Sequence, residues 1–112
     1  MTKIPMTETN KNKYDLEERT YQFAKNIALF SKKLPRTISN IEYVKQLIRA
    51  SGSVGANYIE ANEAFSKKDF KLKIKICRKE AKESAYWLRL IVETNDKKSE
   101  AEGTTLRNEA IE

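Results

Sequence analysis

This sequence predicts an all-α fold, an antiparallel up-and-down four-helix bundle whose fourth helix is short or truncated. Three observations carry that expectation. Apolar residues recur every three to four positions through three long stretches, the period of a helix buried on one face. The 112 residues hold three glycines and two prolines, too little punctuation for a set of hairpins. Capping residues or a proline stand at the boundaries of each stretch. A chain of this length suits one domain. The expected division is a disordered polar N-terminus over residues 1–13 and a single bundle over 14–112.

The first helix is expected to start at Asp15, with Glu18 reaching back from the third helical position. Leu16, Phe23, Ile27, Phe30 and Leu34 then fall within about 60° on a helical wheel. Pro35 ends the helix, because it lacks a donor and disfavours the helical conformation at Leu34. The second helix is expected at Ser39, where Ser39-Asn40-Ile41-Glu42 has the form of a capping box. Ile41, Val44, Leu47, Ile48, Val54, Tyr58 and Ile59 give it a broad apolar face. Gly52 and Gly55 lie in its middle, each costing about 1 kcal/mol against alanine. Close backbone packing offsets such a cost. A phosphate-cradling loop is the alternative, but the run lacks a Gly-Lys-Ser/Thr ending and follows no strand.

The third helix opens at Ser66 with Asp69 three residues on, and runs to about Glu93, roughly 40 Å. Its expected core seam is Phe70, Ile74, Cys77, Ala81 and Leu88. Asn95 to Gly103 reads as a polar loop, and a last helix from Thr104 or Thr105 carries Leu106, Ala110 and Ile111. At about 13 Å that helix is too short to flank the third along its length. Either an assembly covers the remainder, or the helix is a shortened form of a longer one.

Composition excludes several chemistries. Without histidine there is no Ser-His or Cys-His catalysis, imidazole metal site or paired-histidine ribonuclease. A lone Cys77 rules out an intrachain disulfide and a thiolate zinc cluster, and its place beside Phe70, Ile74 and Ala81 makes it a small core hydrophobe. No catalytic residue, metal or cofactor is expected, and the chain is read as a non-enzyme. The N-terminus lacks an apolar signal core, and no run approaches the roughly 18 apolar residues of a membrane span. The expected location is the cytoplasm.

Charge is unevenly spread. Residues 67–92 carry nine Lys or Arg against three acids, whereas residues 93–112 carry three against six, within a net charge of +6. At about 100° per residue, Lys67, Arg78, Lys71, Lys82, Lys75, Lys68 and Lys79 occupy an arc of roughly 120°, with Lys73 outside it. Such a stripe is a footprint for a polyanion, RNA or DNA, read through phosphates rather than bases. The plainer reading is a solvated lysine face. A second apolar seam, Leu72, Ile76, Trp87 and Leu90, lies nearly opposite the stripe and calls for a partner surface, in the simplest case another copy of the chain. Trp87 is expected to pack at a helix or subunit interface, and Tyr86, at the edge of the stripe, is the better candidate for stacking on a base. Asn57 and Glu60 share the polar side of the second helix and are expected in a structural polar network, Glu60 paired with a Lys or Arg. The sharper alternative is a general acid/base pair of Glu60 and Glu80 sharing an open pocket.

Ser53-Val54-Gly55-Ala56-Asn57-Tyr58-Ile59-Glu60-Ala61, then Ser66-Lys67-Lys68-Asp69-Phe70, and later Lys79-Glu80-Ala81-Lys82-Glu83-Ser84-Ala85-Tyr86-Trp87-Leu88, closely resemble a known signature. It is that of the bacterial 23S rRNA intervening-sequence proteins, with a more distant likeness to accessory proteins of diversity-generating retroelements. The resemblance covers about residues 15–112. It implies an antiparallel four-helix bundle assembled as a homo-pentamer, and it singles out Gly55, Ala56, Asn57, Glu60, Lys79, Glu80 and Trp87. For the retroelement relatives it implies association with a reverse transcriptase and nucleic acid. The chain departs from the pattern at its end, where the fourth helix of relatives continues further. The functional expectation is an oligomeric scaffold that contacts RNA or DNA phosphates through the third helix. The alternative is a protein-binding accessory subunit with no nucleic-acid contact.

Overall fold

The computed structural model describes residues 6–95 and 100–111, with side chains described from Asp15 onward. Four helices appear, α1 (Met6–Lys32), α2 (Ile38–Asn62), α3 (Lys67–Thr94) and α4 (Glu100–Ile111), and no strand occurs among the described residues. The all-α four-helix expectation holds, including the short fourth helix of 12 residues. α2 packs on α1 and α3, and α4 packs on α3 and α1. Asn40 meets Asn95, Arg49 meets Glu83, Val54 meets Cys77 and Glu60 meets Lys73, so α2 and α3 run antiparallel in continuous register.

Boundaries differ from expectation at three places. α1 starts at Met6, so Asp15 lies inside the helix instead of capping it. Of the expected N-terminal segment, residues 1–5 lie outside the described residues. α2 is capped by Thr37, whose hydroxyl accepts from Asn40 N at 3.1 Å, and not by Ser39. Both residues can cap; Thr37 prevails two positions after Pro35, where the chain is already extended. α4 begins at Glu100 and absorbs most of the expected loop, of which residues 96–99 lie outside the described residues. Gly103, read as loop punctuation, sits buried inside the helix. By contrast, Ser66 caps α3 as expected, accepting from Asp69 N, and α3 is one continuous helix of 28 residues.

The core is built from Phe23, Ile27, Phe30 and Leu34 at the C-terminal half of α1, Leu47 of α2, Leu88 and Ile91 of α3, and Leu106 and Ala110 of α4. It therefore lies at the end of the bundle where all four helices are present. Toward the other end Leu16, Phe70 and Ile111 are left exposed, and Ile74, Cys77 and Ala81 are only half-buried. The expected core seam of α3 is thus core only at Leu88. The centre of the buried face has rotated onto Glu80, Ser84, Leu88 and Ile91. On α2, Leu47 and Val54 are buried as expected, but Ile48 and Ile59 are exposed.

Only one of the two α2 glycines serves close packing. A Cβ on Gly55 would sit 3.3 Å from Thr20 Oγ1, so the α1–α2 approach there uses the missing side chain. Around Gly52 there is nothing within 4 Å. Gly52→Ala is accordingly expected to stabilise the protein by about 0.5–1 kcal/mol, through helix propensity and a less flexible unfolded chain. Urea denaturation with an unchanged slope checks this; no rise in midpoint would mean Gly52 has a role its open surroundings do not reveal.

Candidate nucleic-acid interface and the α1–α3 trough

The basic stripe survives folding intact. Lys67, Lys68, Lys71, Lys75, Arg78, Lys79 and Lys82 are all exposed along about four turns of α3. None makes an ion pair with a described residue. Lys73, the one lysine of that run outside the arc, is also the one that is paired: its Nζ lies 2.6 Å from Glu60 Oε1 across the α2–α3 seam. That hydrogen bond, and the charge of Glu60 behind it, raise the Lys73 pKa. Helical phase therefore divides the lysines into one that ties α3 to α2 and seven whose charge faces solvent. Arg89, further along the same face, is engaged by Glu93 at 3.1 Å.

Glu60 has the basic partner expected of it, whereas the bond that Asn57 makes among the described residues lies within α2, its Nδ2 donating to Ser53 O at 2.9 Å. Ala56 is exposed. Glu80 is buried at 8 % exposure, and its Oε1 has no hydrogen-bond partner among the described residues. Neither Glu60 nor Glu80 borders the trough described below. Of the second apolar seam, Leu72 is exposed, while Ile76, Trp87 and Leu90 are half-buried. Trp87 packs on the core beside Tyr43, with ring centroids 6.1 Å apart, so part of this seam is used within the chain. Tyr86 is exposed and stands nearly perpendicular to Trp87, with ring centroids 5.0 Å apart.

A second feature adjoins the stripe. Between α1 and α3, beyond the end of α4, runs an apolar trough of about 590 Å³. Phe23 and Val54 lie at its base, Ile74, Cys77, Ala81 and Ala85 along its α3 wall, and Leu16 and Thr20 along its α1 wall. Ala110 and Ile111 line its α4 end. Arg78 and Lys82 stand on the α3 rim, and Arg19 on the α1 rim binds Glu109 at 3.1 Å. Cys77 donates its thiol to Val54 O at 3.3 Å, and burial raises its pKa, the environment of an unreactive thiol. Burial likewise raises the Tyr58 hydroxyl beside it. The short fourth helix is legible in the sequence, but helical phase places Ile74, Cys77 and Ala81 in the core. Helical phase alone does not tell a core wall from the wall of an open trough.

Among the described residues no cluster of three or more His, Cys, Asp or Glu is placed to hold a metal ion. No described helix is long and apolar enough to cross a membrane.

The chain matches the family model for 23S rRNA-intervening sequence proteins over residues 12–112. The chain belongs to that family. Its fold is shared with a crystal structure of a protein of unknown function from the S23 ribosomal protein family of Bacteroides thetaiotaomicron VPI-5482. That likeness has a TM-score of 0.69 and 30% identity, and covers 88% of this chain and 94% of the other. A comparison with curated proteins returns no match. This 23S rRNA-intervening sequence protein thus shares its fold with that relative, and its own chemistry lies in the side chains described above.

Proposed function

We propose that the protein is a non-enzymatic, cytoplasmic helical scaffold that assembles with copies of itself and holds RNA or DNA by its phosphates along α3. One observation carries the reading: seven cations share one face with no ion pair to a described residue, while Lys73, out of phase with them, is paired with Glu60. Solvated cations on a rigid rod are ready to displace counterions from a phosphate backbone, and their spacing of one helical turn repeats about every 6 Å. The face offers little base-reading chemistry, so binding is expected to be salt-sensitive and indifferent to sequence. Exposed Leu72, Ile38 and Phe65 support contact with further copies. Copies arranged in a ring, the pentamer implied by resemblance, would multiply modest stripes by avidity.

Changing Lys71, Lys75 and Lys82 together to Glu is expected to abolish retention of a generic RNA in a gel shift at about 50 mM salt. Lys73→Gln, which breaks the pair with Glu60 and leaves the stripe alone, should keep it. Retention unchanged by the triple reversal would remove the stripe from consideration. The same exposed apolar residues favour a second reading, a protein-binding accessory subunit whose lysines only solubilise it. That reading predicts no RNA retention by the wild-type protein at any salt concentration, with native mass still showing an assembly.

A further inference from the structure

Tyr86 continues the row of the basic stripe. At about 100° per residue, Lys75, Lys79, Lys82 and Tyr86 fall within about 60° of one another on α3, and the ring stands about one turn past Lys82. All four are exposed, Tyr86 at 58 %. Beyond the ring the run of unpaired cations stops. Arg89 is engaged by Glu93, and residues 93–112 carry three Lys or Arg against six acids.

The ring is also held in place. Its centroid lies 5.0 Å from that of Trp87 at an interplanar angle of 80°, a favourable arrangement for two aromatic rings. Trp87 in turn packs on the core, 6.1 Å from Tyr43 of α2. A tyrosine has two χ angles to fix, and here a neighbour anchored in the core already restrains them. Little ordering is left to oppose a contact on the exposed part of the ring.

An exposed aromatic at the end of a row of cations supplies what the cations lack, a surface for a base. In a duplex the faces of each base are covered by the neighbouring pairs. In an unpaired strand a base can turn out and stack on a ring while its phosphates follow the lysines. We infer that α3 takes a single strand of RNA or DNA, with phosphates along Lys75, Lys79 and Lys82 and one unpaired base stacked on Tyr86. This rests on the stripe as the phosphate-binding face and adds the form of nucleic acid that the face selects. Cations alone favour the opposite choice, because a duplex has the greater charge density. A preference for the single strand therefore reports the ring. Stacking is open to every base, so sequence stays unread.

The test uses the full chain, a fluorescein-labelled oligo-thymidylate of about 15 nucleotides and a duplex of the same length, titrated by anisotropy at about 50 mM salt. The single strand is expected to bind at least about ten-fold tighter than the duplex. Tyr86→Leu keeps an apolar side chain against Trp87 and removes the π face. It should weaken single-strand binding about ten-fold and leave duplex binding unchanged, which also shows that the variant is folded. Its salt dependence should keep the wild-type slope, since no phosphate contact is lost, whereas Lys79→Gln should make the single-strand slope shallower by about 0.7 on logarithmic axes. Tyr86→Phe should bind both forms as the wild type does.

Three results would overturn the inference and leave the stripe standing, provided that the reversal of Lys71, Lys75 and Lys82 still abolishes retention. These are equal or tighter binding of the duplex, a Tyr86→Leu protein that binds the single strand as wild type does, or equal losses for both forms in that variant. Binding of neither form by the wild-type protein would remove the stripe and the inference together.

Discussion

Gly103→Leu is expected to destabilise the protein by about 3–5 kcal/mol and to free α4 from the bundle. Gly103 is buried where α4 crosses α3 and α1, and a Cβ built on it collides with Val92 Cγ2 and lies 3.2 Å from Phe30 Cζ. Neither neighbour yields cheaply. Val92 is β-branched and held near one χ1 well in a helix, and Phe30 is 1 % exposed at the centre of the core. Alanine at 103 gains about 1 kcal/mol of helix propensity and loses about 1–3 to overpacking, so its net effect is a modest loss. Leucine adds atoms with nowhere to go. α4 is held chiefly by burial of Leu106 and Ala110, with exposed ion pairs Lys33–Glu102 and Arg19–Glu109 contributing little. Once it lifts, Phe30, Ile27 and Ile91 lose their cover.

Urea denaturation supplies the free energies, and hydrogen exchange in residues 100–111 reports whether α4 opens before the rest. Val92→Ala removes the colliding methyl, so Gly103→Ala combined with Val92→Ala should cost less than the sum of the two alone. Strict additivity, or a Gly103→Leu protein as stable as wild type, would mean that α4 does not pack here. The contrast with Gly52, where alanine is expected to help, rests on space alone: both glycines are helical, and only one is crowded.

The main architecture was legible because helical phase and caps are local properties. Ser66 with Asp69, the Phe23–Ile27–Phe30–Leu34 row and the uninterrupted α3 needed no tertiary information. The same holds for the basic arc, since seven side chains in phase on one rod stay in phase however the rod is packed. What escaped notice depends on neighbours. Gly103 looks like a turn until Val92 and Phe30 are placed beside it. Ile74 and Ala81 look like core until they are found lining an open trough. Glu80 and Ser84 became buried because α2 sets the rotation of α3, and polarity at those positions pointed the other way. Asp15 and Ser39 were locally sound caps that lost to earlier starts.

Asn40 escaped for the same reason, and its replacement should be the second large perturbation. The residue is 3 % exposed, and its side chain is one half of a reciprocal amide pair. Asn40 Nδ2 donates to Asn95 Oδ1 at 2.8 Å and to Pro35 O at 2.9 Å. Asn95 Nδ2 donates back to Asn40 Oδ1 at 2.9 Å and to Ile91 O at 2.8 Å. Three segments are thereby joined: the α1–α2 turn, the first turn of α2 and the C-cap of α3. Asn40→Leu keeps the volume but leaves Pro35 O and much of the Asn95 amide without partners, at about 2–4 kcal/mol. Asn95→Leu should cost somewhat less, because its side chain is less buried. Replacing both removes the amide that each single change strands, leaving Pro35 O and Ile91 O without their side-chain donors, so the double variant should be more stable than the two single losses imply, by about 1–2 kcal/mol.

Asn40→Asp is the more diagnostic change. It sets a carboxylate oxygen where an NH2 now faces two carbonyl-type acceptors, so the folded state favours the protonated acid and raises its pKa above the unfolded value of about 3.9. The folded protein then binds more protons than the unfolded chain between those two values, and stability must fall as pH rises through that window. A larger deficit against wild type at pH 7 than at pH 4, in matched urea titrations, is the expected result. Equal deficits at both would show that residue 40 faces no acceptor. The clamp sits at one end of the α2–α3 register and Glu60–Lys73 at the other, so a slip at Asn40 would rotate the exposed cations of α3 relative to α2. The position of the basic stripe is therefore held from a residue that does not belong to it.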